Sequence, residues 1–227
     1  MPAMKSAYRI VASTFLTATL AWPMLCRADD FNIISPGKDS LRINAGEMQV
    51  HLNRDGCEAG FEIACSTVLQ RSEYVSTRSH SHGDSIAYGW EIRVPEDFRY
   101  NASGGYLRAV RFINAKGESV LSFLIDTQNG YNVSRKTCFS PKGFGSWHRI
   151  EVFVTWDSTK KKGLKDKTPG ELQVICDGTE ILNRLGRPNI GAEEQVWMAV
   201  GLAGSLKLAD GDNAAVTYRN ISIEPRQ

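Results

Sequence analysis

From Phe31 onward, runs of about five to nine residues rich in Val, Ile, Phe, Tyr and Trp recur between clusters of Gly, Asp, Asn and Pro, and none carries a helical period. Alternation is cleanest in Trp147–Asp157, where Ile150, Val152, Val154 and Trp156 fall on one face and Arg149, Glu151, Phe153 and Thr155 on the other. A strand patterned in this way buries one face and presents the other to water or ligand, which is the habit of antiparallel sheets. The same reading gives strands at SIAYGWEIRV, GYLRAVRFIN, SVLSFLIDT, GELQVICD, TEILNRL, QVWMAVGLA and AAVTYRNISIE. The expected class is all-β, an antiparallel β-sandwich.

Two turns follow from local chemistry. Asp177-Gly178 is a pair that tolerates the positive φ angles of a tight type I′ hairpin, so Gly170–Cys176 and Thr179–Leu185 should be antiparallel neighbours. Lys160–Gly170, with its charges, glycines and Pro169, breaks the strand pattern and is expected to be a hairpin loop.

The first residues carry Lys5 and Arg9, an uncharged apolar run over 10–25, and small residues near Ala28. This pattern predicts a signal peptide over 1–28, leaving 29–227 as a single domain, secreted or periplasmic and not membrane-spanning. Lys5, Arg9 and Arg27 would leave with it, so 24 basic residues face 25 acidic ones. No basic stripe interleaved with aromatics marks a nucleic-acid binder. Cys57, Cys65, Cys138 and Cys176 remain, an even set in an exported chain, and disulfides are expected. Of the three pairings, Cys57 with Cys65 closes a short loop and Cys138 with Cys176 ties two strands. The absence of a C-x-x-C pair and the irregular spacing argue against zinc, and neither a cofactor nor a metal is expected.

The frame GSWHRIEVFVTWD, a loop, then GELQVICDGTEIL, with YGWEIRVPEDF, QRSE and the closing VTYRNISIEP, resembles the polysaccharide lyases of the heparin lyase I type and their alginate and glucuronan lyase relatives. The resemblance runs from about Phe61 to Pro225. It implies a concanavalin-like jelly roll whose concave sheet cradles an acidic polysaccharide, acting as a monomer. The implied reaction is β-elimination: a base removes the C5 proton beside a uronate carboxylate, a cationic or polar group neutralises that carboxylate, and an acid protonates the leaving glycosidic oxygen. The family's Gln-x-His strand corresponds to GYLRAVRFIN, which offers Arg108 and Arg111 instead. Its Tyr-x-Lys-x-Gly-x-Tyr strand corresponds to WMAVGLA, which keeps Gly201 but not the Lys or the tyrosines. A glycan-binding module without chemistry is therefore the alternative to a lyase.

Arg71 and Glu73 match the family's Arg-x-Glu and share a strand face suited to binding a carboxylate. Arg108 and Arg111 are further substrate-binding candidates, although their odd spacing sends them to opposite faces unless a bulge intervenes. His80 and His82, before the Tyr88 strand, are candidate bases; Tyr131 and Tyr218 are candidate acids. His148 shares the face of Ile150 and Val152 and is expected to be structural. Asp210, Asp212 and Asn213 could hold calcium, but a polar turn uses the same residues.

Overall fold

The computed structural model describes residues 30–101, 105–160 and 168–226. The expected signal peptide lies outside these residues, as does most of the Lys160–Gly170 loop. Among the described residues fourteen strands form two seven-stranded sheets. The first sheet contains β1 (Phe31–Ile34), β4 (Leu69–Ser76), β13 (Trp197–Ser205), β6 (Leu107–Ile113), β7 (Ser119–Asp126), β8 (Gly130–Val133) and β9 (Lys136–Phe139), in that order. The second runs β12 (Thr179–Leu185), β11 (Glu171–Cys176), β10 (Trp147–Thr155), β5 (Ser85–Arg93), β14 (Ala215–Pro225), β3 (Glu47–His51) and β2 (Leu41–Asn44). Every named pairing is antiparallel, so the structure is the all-β sandwich that the alternation implied, consistent with a jelly roll.

Alternation decides which face each strand buries. On β5, Ile86, Tyr88, Trp90 and Ile92 point inward, and on β10 Ile150, Val152 and Val154 do the same. Aromatic edges meet in the core: Trp90 lies edge-on to Phe123, and Tyr88 to Phe112. Buried polar tips find partners, as burial requires. Trp90 Nε1 donates to Tyr131 Oη at 3.2 Å, and the Tyr218 hydroxyl donates to the Gly201 carbonyl at 2.9 Å. Both contacts run from the second sheet to the first. The Asp177-Gly178 turn joins β11 to β12 with φ of 48° and 77°, as a type I′ hairpin needs.

Both disulfides pair as the spacing favoured. Cys57–Cys65 closes the loop before β4, while Cys138–Cys176 ties β9 of the first sheet to β11 of the second.

His148 completes this edge. Its ring stacks on Phe139 of the first sheet at 3.8 Å between centroids, Nε2 donates to the Gly143 carbonyl at 2.9 Å, and Nδ1 lies 2.7 Å from Asp177 Oδ2. All these contacts are internal, so the residue holds the two sheets in register. His148→Gln is expected to lower unfolding stability by about 1–3 kcal/mol while leaving polysaccharide binding per folded molecule unchanged. Denaturant unfolding beside a binding titration checks this; a variant as stable as the parent contradicts it.

Candidate functional site

The outward face of β4, β13 and β6 collects the charged candidates. On β4, Ser72 and Tyr74 turn inward, Ser72 Oγ donating to the Ser40 carbonyl and Tyr74 stacking on Phe31, which leaves Arg71, Glu73 and Val75 outward. Their partners across β13 are Ala203, Gly201 and Ala199. Small residues at these positions make β13 a low strip that side chains from either side can cross. Gly201 is required there: its φ is 153°, and a Cβ would stand 2.1 Å from the Ser72 carbonyl oxygen.

On β6 a bulge intervenes. Arg108 pairs with Leu124 and Arg111 with Ser122, so three steps on β6 match two on β7, and both arginines reach the outward face. Arg111 leans back over β13 and closes a two-pronged ion pair with Glu73, Nε to Oε1 at 2.6 Å and Nη2 to Oε2 at 2.7 Å. The Glu73 side chain is fully buried and that of Arg111 is 7% exposed. These two charges are therefore directed at each other, in the rows next to that of the remaining arginines.

Arg71 and Arg108 lie in one row across Ala203. Arg71 donates to the Ile63 carbonyl at 3.1 Å, and the Arg108 guanidinium lies 5.7 Å from the centroid of the Tyr106 ring. Among the described residues neither arginine has a carboxylate partner, and both are partly exposed. Tyr106, exposed and two residues before Arg108, is absent from the candidates read off the sequence. The available signal was its same-parity position beside an arginine at the mouth of a strand.

The other candidates lie elsewhere. Tyr131 is fully buried between the sheets, its hydroxyl held by Trp90 and its ionisation pushed well up by burial. Tyr218 is enclosed in the same way. His80 is buried edge-on to Tyr88, and its backbone pairs with Val196 just before β13. Burial lowers its pKa, and Nε2 has no hydrogen-bond partner among the described residues. His82 is half exposed at the end of β10, where Nδ1 accepts from the Ser158 amide at 3.1 Å and lies 3.3 Å from Asp157 Oδ1. The fold thus brings Arg71, Glu73, Arg108 and Arg111 together and leaves His80, His82 and Tyr131 off that face. In the segment Asp210–Asn213, Asp212 accepts from the Asn101 and Ala209 amides and Asp210 pairs with Arg54, the bonding of a polar turn. No group of three or more His, Cys, Asp or Glu among the described residues is placed to hold a metal ion.

Breaking a buried ion pair from one side typically costs about 3–5 kcal/mol, because the surviving charge stays buried and uncompensated. Glu73→Gln should destabilise by that order, while the double variant Glu73→Leu with Arg111→Met should recover most of the loss. Chemical unfolding of both checks it; a Glu73→Gln protein as stable as the parent contradicts the pair's role.

No protein-family model matches the sequence, and no curated protein matches it. Solved structures do match. An endo-β-1,4-glucuronan lyase from the fungus Trichoderma reesei aligns with a TM-score of 0.57 at 15% identity, over 91% of this chain and 92% of that one. An alginate lyase from Pseudomonas aeruginosa aligns at 0.61 and 12% identity, over 88% of this chain and 100% of its own. A third, an alginate lyase of polysaccharide lyase family 7, gives 0.59 at 7% identity, over 87% and 95%. Identity this low carries the fold and not the chemistry. The chain has the jelly-roll fold of the alginate and glucuronan lyases.

Proposed function

We propose that this protein binds a uronate-containing polysaccharide across the outward face of β4, β13 and β6, with Arg71 and Arg108 gripping successive carboxylates. The observation that carries the reading is the row Arg71–Ala203–Arg108: two guanidinium groups without carboxylate partners among the described residues, flanking a strip with almost no side chain. Arginine presents a planar fork that matches a carboxylate in two-pronged fashion, and hydrogen bonds to charged groups contribute about 1.5–3 kcal/mol each. Glu73 and Arg111 act beside the row as positioning residues, through their buried pair. The likeness to lyases of alginate and glucuronan, both acidic polymers, supports the same substrate class, and two disulfides support a secreted or periplasmic location. The protein works as a monomer in this reading.

One observation favours cleavage as a second reading. Tyr106 stands beside Arg108, so a phenol that can pass a proton adjoins a cation that can neutralise the uronate carboxylate. In β-elimination the C5 proton goes to the base, the C5–H electron pair becomes the C4=C5 double bond, and the C4–O bond breaks with its pair leaving on the glycosidic oxygen, which takes up a proton.

The test titrates polymannuronate, polygalacturonate and a neutral glucan into the parent protein, Arg71→Ala and Arg108→Ala at low and physiological salt. Each substitution should weaken polyuronate binding about ten- to a hundredfold. The effect should persist at physiological salt, where screening over about 8 Å removes most of a purely surface attraction. Unchanged affinity in both variants contradicts the site. Unsaturated product formed by the parent and lost in Tyr106→Phe establishes the cleavage reading; binding without product leaves a glycan-binding protein.

A further inference from the structure

The second sheet carries a trough on its outward face. Along β5 the inward positions are Ile86, Tyr88, Trp90 and Ile92, which leaves Ala87 and Gly89 outward, followed by Glu91. The flanking strands are taller there: β10 sets Phe153 beside Ala87 and Glu151 beside Gly89, and β14 sets Glu224 beside Ala87 and Ser222 beside Gly89. Small residues between large ones leave a cavity of about 560 Å³, inside the range of about 300–1,000 Å³ typical of ligand sites. A Cβ on Gly89 would lie 2.8 Å from Ser222 Oγ and displace that hydroxyl, so the absence of a side chain at 89 keeps the floor low.

One end of the trough is closed by a built arrangement. The Glu91 carboxylate accepts from Arg219 Nε at 2.6 Å and from Asn220 Nδ2 at 2.9 Å. Asn220 reaches it because β14 bulges between Arg219 and Ser222, with Asn220 held at φ 52°. Asparagine adopts this left-handed conformation more readily than most residues, and bulges re-aim side chains beside functional sites.

The lining has a definite chemistry. Ionised carboxylates only accept hydrogen bonds, and Glu91, Glu151 and Glu224 supply three of them along the trough against one lining cation, Arg149, whose Nη2 donates to Glu151 Oε1 at 2.9 Å. Burial works to raise the Glu91 carboxyl, but hydrogen bonds from Asn220 and Arg219 outweigh it and hold the group below the usual carboxylate range. Oε1 of Glu224 has no hydrogen-bond partner among the described residues. Phe153, with Arg226 over one side of its ring, gives the wall an apolar surface. A ligand for such a trough donates several hydrogen bonds, has an apolar C–H face and carries no negative charge. We propose that the trough over Ala87 and Gly89 binds the residues of a neutral saccharide chain, so that the two outward faces of the sandwich take glycans of different charge.

The inference stands apart from the reading of the first sheet, and one titration separates the two. The full chain, labelled with nitrogen-15, is titrated with cellohexaose, mannohexaose and maltohexaose, and separately with a hexamer of mannuronate. At least one neutral hexasaccharide should shift the amides of Ala87–Glu91, Glu151–Phe153 and Ser222. Its affinity should fall at least tenfold in Phe153→Ala and in Glu151→Gln and stay unchanged in Arg71→Ala. Should Phe153→Ala lose its dispersed spectrum, Glu151→Gln, a change at a partly exposed position, decides alone. The proposal is overturned if all three neutral hexamers leave those amides unmoved, if affinity is the same in the folded trough variants, or if the mannuronate hexamer occupies the trough. Failure of the acidic arm at Arg71 and Arg108 would count against the first sheet's reading only.

Discussion

The Glu73–Arg111 ion pair organises the face on which the functional reading depends. Its two residues sit on strands separated by β13, and they meet only because Gly201 and Ala199 leave the intervening strand low. Tyr218 donates from the opposite sheet to the carbonyl of that same Gly201, so the core and the outward face are fastened at one residue. A buried charge pair of this kind adds little net stability over an apolar replacement. What it supplies is position: with Arg111 committed to Glu73, Arg108 and Arg71 are the cations left to meet a ligand.

The sandwich separates packing from chemistry. Aromatic residues that a catalytic scheme would recruit, among them Tyr88, Tyr131 and Tyr218, point inward and serve as core with satisfied polar tips. The outward faces differ in kind. The first sheet shows arginines around small residues, and the second shows carboxylates and Phe153 around Gly89, with Arg149 paired to Glu151 and with Arg93 and Arg219 lying against Trp147 at 4.8 and 4.1 Å. His148, Phe139 and the Cys138–Cys176 disulfide clamp the edge where the two sheets meet, away from both faces.

Strands with a one-sided burial pattern were legible in the sequence. β10, β11 and β12 follow from the Ile150–Val154 alternation and from Asp177-Gly178, because both signals are local. The four-residue strands β1, β2, β8 and β9 are too short to show a period. The β8–β9 turn places Ser134 and Arg135 at positive φ without the Gly or Asn that would announce it. In the site, Arg71, Glu73, Arg108 and Arg111 were readable as a group, but the partner of Arg111 lies 38 residues away and no local pattern encodes that contact. The bulge that turns Arg108 and Arg111 to one face was open for the same reason, since it is defined against β7. Tyr106 shares its parity with Arg108, but that local signal is weak until the bulge against β7 fixes which face Arg108 occupies.

An acidic polysaccharide lying across β4, β13 and β6 would shield their backbone amides, and hydrogen–deuterium exchange of the full chain, with and without a mannuronate hexamer, reads that shielding. Exchange should slow in the peptides spanning Leu69–Ser76, Leu107–Ile113 and Trp197–Ser205, with no change over Ser85–Arg93 and Trp147–Thr155. Protection confined to the second sheet, or none anywhere at saturating ligand, would contradict it.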